Sequence, residues 1–204
     1  NGVLTISGSG KMAYFLPWEE YADQVTAVVI EPGVTTISAN AFRRFTKLET
    51  VTVGNTVTSI GSCAFLGCSE IESITIPESV TKIGEWAFSG CTSLKSIVIS
   101  MLVTDDISTV FRGCASLESI VVAEDNPRYD SREGCNAIVE TETNSLIAGC
   151  KATIIPESVT KIKEHAFRDC ASLETIIIPK SVTEIGECTF DNCTSLESIT
   201  IPES

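Results

Sequence analysis

The chain has 204 residues, with 27 acidic and 14 basic side chains and a formal net charge of −13. This balance argues against binding to nucleic acid or anionic membranes, which need clustered Lys and Arg, and leaves basic proteins, cations and neutral glycans as partners. No apolar run reaches the ~20 residues of a membrane-spanning helix, so we expect no membrane insertion by this segment.

The amino-terminal segment, residues 1–22, differs in pattern from the rest of the chain. Val3–Ser7 and Lys11–Phe15 flank a Gly-Ser-Gly turn, as the two strands of a β-hairpin would. Pro17-Trp18 follows this segment. We predict that the hairpin and these two residues cap the exposed end of a repeat array, as terminal repeats must.

Residues 23–204 repeat with a period of 23. The octapeptides Ile76–Ile83 and Ile155–Ile162 are identical. Self-similarity at 20–29 residues, with Leu or Ile in fixed columns, predicts a leucine-rich repeat solenoid that forms one continuous domain. A phenylalanine marks each copy, and these residues are Phe42, Phe65, Phe88, Phe111, Phe167 and Phe190.

Each repeat predicts a short strand, a turn and a short helical segment. In the third copy, Ile74 and Ile76 alternate as in a strand. Ala87 and Cys91 are four residues apart and would share one face of a single helical turn. We therefore predict a right-handed superhelix, with one parallel sheet from residue 25 to residue 201 on its concave face and the helical or turn segments on its convex face.

A cysteine follows five of the six repeat phenylalanines by three residues, and Phe45 takes this column in the first copy. A position that accepts Cys or Phe is a buried apolar position, where a free thiol packs as a small hydrophobe. One cysteine per repeat lacks the paired spacing of zinc sites, so we predict a structural ladder with no metal or cofactor. The ladder consists of Cys68, Cys91, Cys114, Cys170 and Cys193.

The fourth copy departs from the repeat pattern. Asp106 takes the isoleucine column, and Ile107 is displaced by one residue. Because burial of an unpaired carboxylate is costly, we expect a local bulge that leaves Asp105 and Asp106 in a solvated loop. A cation site at these two aspartates is the weaker alternative.

An insertion at about residues 123–150 follows. Leu117 and Cys150 fill the same repeat column but are 33 residues apart. Strand-like segments on both sides of Thr141–Asn144 predict a protruding hairpin. Cys135 and Cys150 are equidistant from its turn, so they would face each other across the two strands. The sequence allows two alternatives, a cross-strand disulfide or two buried thiols.

The outward-facing columns of the strands predict the contact surface. Strand geometry points the fifth column of each repeat outward on the concave side, and four consecutive copies carry an apolar β-branched residue there. Contiguous apolar patches often mark contacts, although ordinary strand propensity is the alternative. The predicted ligand-contact residues are Val98, Val121, Ile154 and Ile177, with Glu118 and Glu174 beside them.

The sequence contains no catalytic motif. Its single histidine, His165, lies in a column that also holds Asn40 and Trp86, which indicates an outer position rather than a general base. Glycine-rich phosphate loops, H-E-x-x-H and G-x-S-x-G are absent. The sequence therefore predicts that the chain is not an enzyme.

The residues from Val80 to Leu94 read Val-Thr-Lys-Ile-Gly-Glu-Trp-Ala-Phe-Ser-Gly-Cys-Thr-Ser-Leu and resemble the consensus of BspA-like leucine-rich repeats. The amino-terminal residues 1–12 with Pro17-Trp18 resemble the segment that often opens such arrays. Residues 129–150 are similar to a hairpin repeat found within them.

This resemblance implies a bacterial protein that is secreted or displayed at the cell surface. It implies adhesin-like, non-enzymatic binding of a protein or glycan, such as a host matrix protein or another bacterium, through the concave sheet. A structural spacer within a larger surface protein is the alternative, and a hydrolase is much less expected.

Overall fold

The computed structural model describes residues 2–14 and 16–201. They form a solenoid of about nine turns built from short parallel strands, which confirms the predicted fold class. The strands are β1 (Val3–Ile6), β2 (Gly10–Lys11), β3 (Ala27–Ile30), β4 (Val34–Ile37), β5 (Thr50–Val53), β6 (Ser59–Ile60), β7 (Ser73–Ile74), β8 (Lys82–Ile83), β9 (Ser96–Ile99), β10 (Ser119–Val122), β11 (Tyr129–Asp130), β12 (Ala137–Glu140), β13 (Ser145–Gly149), β14 (Lys161–Ile162), β15 (Thr175–Ile177), β16 (Glu184–Ile185) and β17 (Ser198–Thr200).

Two stacks of strands run along the solenoid. The first sheet has the order β1-β3-β5-β7-β9-β10, and a second sheet has the order β2-β4-β6-β8. All neighbours in both sheets are parallel, and equivalent residues pair across repeats, as Val28 with Val51 and Ile60 with Ile83. Each column of the sequence therefore becomes a line of stacked side chains. The second sheet was not predicted.

The predicted amino-terminal hairpin is wrong. β1 pairs in parallel with β3, and β2 pairs in parallel with β4, so these two strands belong to different sheets. Gly8 and Gly10 have φ values of 123° and 91°, and the turn they form carries the chain from the first sheet to the second instead of back along β1. The predicted second strand extended to Phe15, which lies outside the described residues.

The predicted short helices are also wrong, because the outer side of each repeat is a stack of turns. In the second copy, Cys63 and Gly67 adopt left-handed φ values of 56° and 75°. A left-handed residue interrupts the helical path of the backbone. The amides of Cys63 and Gly67 therefore bond to carbonyls of the next repeat rather than within a helix. The amide of Phe65 likewise donates to the carbonyl of Ala87 at 2.8 Å.

Two short 3-10 helices, Glu19–Tyr21 and Arg132–Gly134, complete the secondary structure of the described part. In that part of the chain, no helix has the length and apolar character needed to cross a membrane.

The repeat phenylalanines form two stacks in the core, one from Phe42 to Phe111 and one of Phe167 with Phe190. Phe65 lies between Phe42 and Phe88, with ring centroids 5.3 Å from each. Trp18 extends the stack at the amino-terminal end, with its ring 6.1 Å from Phe42 and its indole N–H donating to the carbonyl of Ala41 at 2.8 Å. Offset stacking of this kind adds to the burial of large apolar surfaces.

The ladder cysteines are buried, apart from Cys170, which is partly buried. Each thiol donates to a backbone carbonyl of the preceding repeat, as Cys68 does to Phe42 at 3.0 Å and Cys91 to Phe65 at 3.3 Å. Burial raises the pKa of the Cys91 thiol to about 12, because the thiolate would lose its hydration. From the second copy onward, the column therefore holds a side chain that is both small and able to donate a hydrogen bond, whereas the first copy has Phe45 there.

In the fourth copy, the chain bulges where the isoleucine column is disrupted. Asp105 and Asp106 are exposed, whereas Ile107 is fully buried. The Asp106 carboxylate accepts a hydrogen bond from the amide of Ser108 at 2.9 Å, and Asp105 lies 3.8 Å from the ammonium group of Lys82. These contacts keep both carboxylates in the solvated loop.

The insertion contains the antiparallel pair β12–β13, and β11 pairs with β12. The hairpin does not protrude, because nearly all of its strand residues are buried. β13 continues in parallel into β14 and then β16, so the insertion is built into the second stack of strands. Within the hairpin, residues 137–149, only the turn residues Glu142 and Thr143 are exposed.

The hairpin separates two buried clusters. Ile138 and Ile147 pack into the amino-terminal cluster, whereas Val139 and Leu146 pack into the carboxy-terminal cluster. Gly149 lies directly against the ring of Phe167, where a Cβ atom would overlap the ring. A glycine is therefore required where the phenylalanine stack is interrupted.

The predicted single sheet from residue 25 to residue 201 is wrong as well. The first sheet begins earlier, at β1, and stops at β10, and β15 pairs only with β17 in a separate two-stranded sheet. Part of the insertion lies beside β10, where the amide of Val122 donates to the hydroxyl of Ser131 at 3.0 Å. This contact takes the place of the next parallel strand.

We expect Phe65→Ala to lower the free energy of unfolding by about 3–5 kcal/mol, because it removes a fully buried ring from the middle of the stack. Urea unfolding followed by circular dichroism measures the change. Phe190→Ala, at a partly buried position with one stacked neighbour, is the matched control and should cost less. Equal losses for the two variants would contradict the stacking argument.

We expect the buried thiols of Cys68, Cys91 and Cys114 to react slowly with a thiol reagent at pH 8, because their raised pKa values keep them protonated. Unfolding should make all of them fast. The raised pKa values also predict that stability is complete below the ordinary thiol pKa of 9.0 and falls as the pH rises towards 12.

Cys188 is exposed and serves as the internal control for this experiment. Its reaction should be fast in the native protein, and Cys188→Ser should remove that phase. Stoichiometric zinc in elemental analysis, or rapid native labelling of Cys91, would overturn the assignment of a packed, metal-free ladder.

Candidate binding surface

The predicted contact residues Val98, Val121 and Ile177 lie on the outward face of strands, whereas Ile154 lies in the non-strand segment after β13. Val98, Val121, Ile154 and Ile177 are exposed by 58, 44, 73 and 70%. Their neighbours in sequence, such as Ile97 and Ile176, are buried. Alternation along the strands places Val98, Val121 and Ile177 outside the core, and Ile154 is exposed between the buried residues Thr153 and Ile155.

The structure divides these four residues into two pairs. Val98 and Val121 are partners on the adjacent strands β9 and β10. Ile154 and Ile177 line a shared groove of about 300 Å³ further along the chain. Residues 131–136 lie between the pairs, where the carbonyl of Cys135 accepts a hydrogen bond from the amide of Ile154 at 3.0 Å. The predicted continuous stripe is therefore interrupted.

A depression of about 490 Å³ on this face lies between β7 and β9 and is here called the β7–β9 groove. The ladder between the two strands contains only the pair Ser73–Ser96, whereas β9 and β10 share four pairs. The strands diverge beyond that single pair. Ile74, Ile76, Pro77, Val98, Met101 and Ala123 give the groove its apolar lining, and Glu78 adds a carboxylate.

Met101 and Leu102 were missed as surface candidates. They are exposed by 42 and 45%. In the fourth copy they follow Ile99 and Ser100 where other copies read Ile-Pro-Glu-Ser, so apolar side chains replace the polar ones of the usual turn. This replacement of polar by apolar residues was the signal in the sequence that could have identified Met101 and Leu102.

A second groove, of about 430 Å³, lies between β10 and the inserted segment and is more polar. Val121 lines it together with Arg132 and Asn136. The Arg132 guanidinium contacts the carboxylate of Asp130 at 2.6 Å and the side-chain oxygen of Asn144 at 2.8 Å. These bonds fix the segment against the hairpin.

A line of charged side chains runs across the same face. Lys95 contacts Glu72 at 2.7 Å, and Lys151 contacts Glu118 at 2.5 Å. The hydrogen bond from Lys151 lowers the pKa of Glu118 below its ordinary value. The column as a whole stays acidic, with two lysines against the five glutamates Glu49, Glu72, Glu118, Glu174 and Glu197.

The remaining candidate residues do not converge on a chemical centre. Cys135 and Cys150 are free thiols with separate acceptors, the carbonyls of Ala137 and Asn136. His165 lies on the outer turns with a left-handed φ of 60°. Within residues 2–14 and 16–201, no three His, Cys, Asp or Glu side chains are grouped as metal ligands.

Comparison with known protein families gives one match. The family described as BspA type Leucine rich repeat region matches residues 20–132 and 145–204, in six copies. No curated protein matches the chain.

Several solved structures are similar to this chain. A leucine-rich repeat protein from Eubacterium ventriosum is 27% identical with a TM-score of 0.64, over 98% of this chain and 67% of its own. A leucine rich cell surface protein from Faecalibacterium prausnitzii is 29% identical with a TM-score of 0.56, over 89% of this chain. The pneumococcal vaccine antigen PcpA, 20% identical with a TM-score of 0.65 over 87% of this chain, shares the fold. The chain spans only 42 and 51% of the last two proteins.

We expect Val98→Asp and Val121→Asp each to change the free energy of unfolding by no more than about 1 kcal/mol, the span of strand propensities, because both side chains face solvent. Ile97→Asp is the matched control one residue away, and it should prevent folding because it places a carboxylate in the core. Thermal unfolding of the three variants tests the assignment. Loss of folding in Val98→Asp would show that this face is part of the core.

Proposed function

The chain belongs to the BspA-type leucine-rich repeat family, and from this membership we propose that it is a non-enzymatic binding module. It presents the outward face of its first sheet, together with the Ile154–Ile177 groove, to a protein or glycan ligand. The binding is adhesin-like, directed at a host matrix protein or another bacterium. The module acts outside the cell, either secreted or attached to the cell surface.

One observation supports this proposal above the others: large apolar side chains are exposed together on one face. Val98, Val121 and Met101 are each exposed by more than 40%. Transfer of such surface out of water yields roughly 25 cal/mol per Å². Exposed apolar patches with a polar rim are typical of contact sites on soluble proteins.

The surface location is supported by a relative. The Faecalibacterium prausnitzii protein, which is 29% identical, is a cell surface protein. The acidic composition favours solubility outside the cell and disfavours nucleic acid as a ligand.

A structural spacer is the second candidate, and the regularity of the solenoid favours it. Stacked repeats give a rigid body whose length grows with the number of turns, which suits a stalk as well as a binding face. A spacer needs no exposed apolar residues on one face. Substitutions there should therefore leave a spacer unaffected.

We expect a screen of immobilised matrix proteins and glycans to identify a ligand, and Val98→Asp with Val121→Asp to weaken its binding at least tenfold. Ile154→Asp with Ile177→Asp tests the second pair in the same way. Surface plasmon resonance measures the affinities. Charged groups in an apolar contact would lose their hydration without gaining a partner, which is the reason for the expected loss.

The matched control is Thr5→Asp with Thr52→Asp, which adds the same charge in the same outward line of β1 and β5, away from both apolar pairs. This control should bind within about twofold of the parent, a difference of less than about 0.5 kcal/mol. Equal binding by all three double variants would contradict a contact role for this face and favour the spacer.

A further inference from the structure

We infer that the β7–β9 groove binds an aliphatic side chain from an extended, basic segment of a protein partner. This inference rests on the proposed function and specifies the ligand class of the same face. It follows from the shape of the groove, from its lining and from the charges around it.

The shape of the groove arises where the first sheet opens. β7 is only two residues long, and Pro77, which has no amide hydrogen, prevents strand pairing from resuming three residues beyond it. β9 continues past it to Ile99 and carries Val98 outward. The side chain of Met101 lines the opposite wall. A volume of about 490 Å³ lies within the range of small-ligand sites and is sufficient for one or two aliphatic side chains.

The lining favours an apolar side chain over a sugar. No aromatic residue lines the groove, so a sugar ring has no flat surface on which to stack. Ser73, Thr75 and Ser96 add hydroxyls along the strands, but sugar hydroxyls placed against Ile76, Pro77 and Met101 would lose hydrogen bonds to water without replacement. Methionine is unbranched and flexible, so Met101 can adapt to aliphatic groups of different shape.

The surrounding charge favours a basic segment. Glu78 lines the groove itself, and it has no salt bridge among the described residues. Lys95, the nearest lysine of the outward column, is held by Glu72 at 2.7 Å, so its charge is largely neutralised. A Lys or Arg side chain of a partner would therefore meet the uncompensated carboxylate of Glu78, which favours association.

An extended segment can present both an aliphatic side chain to the groove and basic side chains to the carboxylates around it. Successive side chains of a strand point to opposite sides, and alternate residues recur every ~6.6 Å on one side. One aliphatic residue can therefore enter the β7–β9 groove while its neighbours reach towards Glu78 and the acidic column. A compact ligand would not place both groups in this way.

The test uses synthetic seven-residue peptides that alternate leucine with lysine, blocked at both ends. Binding to the full chain is followed by ¹⁵N–¹H NMR. We expect saturable shifts centred on the amides of Ile76, Val98 and Met101. Replacement of leucine by serine, or of lysine by glutamate, should weaken binding at least tenfold, and 0.5 M salt should weaken it further.

The protein variants provide a matched pair. Met101→Asp should abolish the shifts, whereas Leu102→Asp should bind like the parent, because Leu102 is equally exposed but does not line the groove. Val98→Asp is the second groove variant if Met101→Asp fails to fold. Peptide binding that survives both groove variants would overturn the inference.

A soluble oligosaccharide, chitohexaose, is titrated in parallel. Shifts at the same three amides with the sugar, and none with the peptides, would also overturn the inference while leaving the binding function intact. If the peptides do not bind but Val98→Asp with Val121→Asp still abolishes binding of the screened ligand, only the ligand class proposed here fails. If both experiments fail, the proposed function fails with it.

Discussion

The structure depends on one constraint: the backbone polar groups and apolar side chains of each repeat must find their partners in the neighbouring repeats. The backbone amide of Phe65 bonds to Ala87 in the next turn, its ring packs between two others, and its carbonyl accepts the thiol of Cys91. These bonds all run along the solenoid axis. A single 23-residue repeat could not offset the loss of its own backbone entropy, roughly 1–2 kcal/mol per residue, so stability arises from the stack.

The insertion shows how a stack accommodates a break. β12 and β13 add antiparallel strands to the second stack, and each face of this hairpin continues one of the two buried clusters. Gly149 supplies the space that the ring of Phe167 requires. The first sheet does not continue across the insertion, because a non-strand segment occupies the position beside β10. The two stacks therefore respond differently to the same extra residues.

The distinctive surface lies where the repeat is least regular. In regular turns the outward residues are mostly Ser, Thr and paired charges, which any solvated face would carry. The fourth copy replaces the usual Pro-Glu-Ser turn with Ser100, Met101 and Leu102, and the strands beside it diverge. The insertion then separates Val121 from Ile154. The candidate sites thus lie at departures from the pattern, where the surface differs from that of its neighbours.

The sequence by itself determined the solenoid, the core columns and the outward position of Val98, Val121, Ile154 and Ile177, because a fixed period repeats the same local geometry in every turn. It did not determine the partner of β1, the turns that replace helices, or the burial of the hairpin. Hydrophobic pattern defines which side chains are buried, but left-handed backbone positions and the pairing of strands depend on neighbours in space. The β7–β9 groove belongs to this second group, since the divergence of two strands follows from how they stack and not from either strand alone.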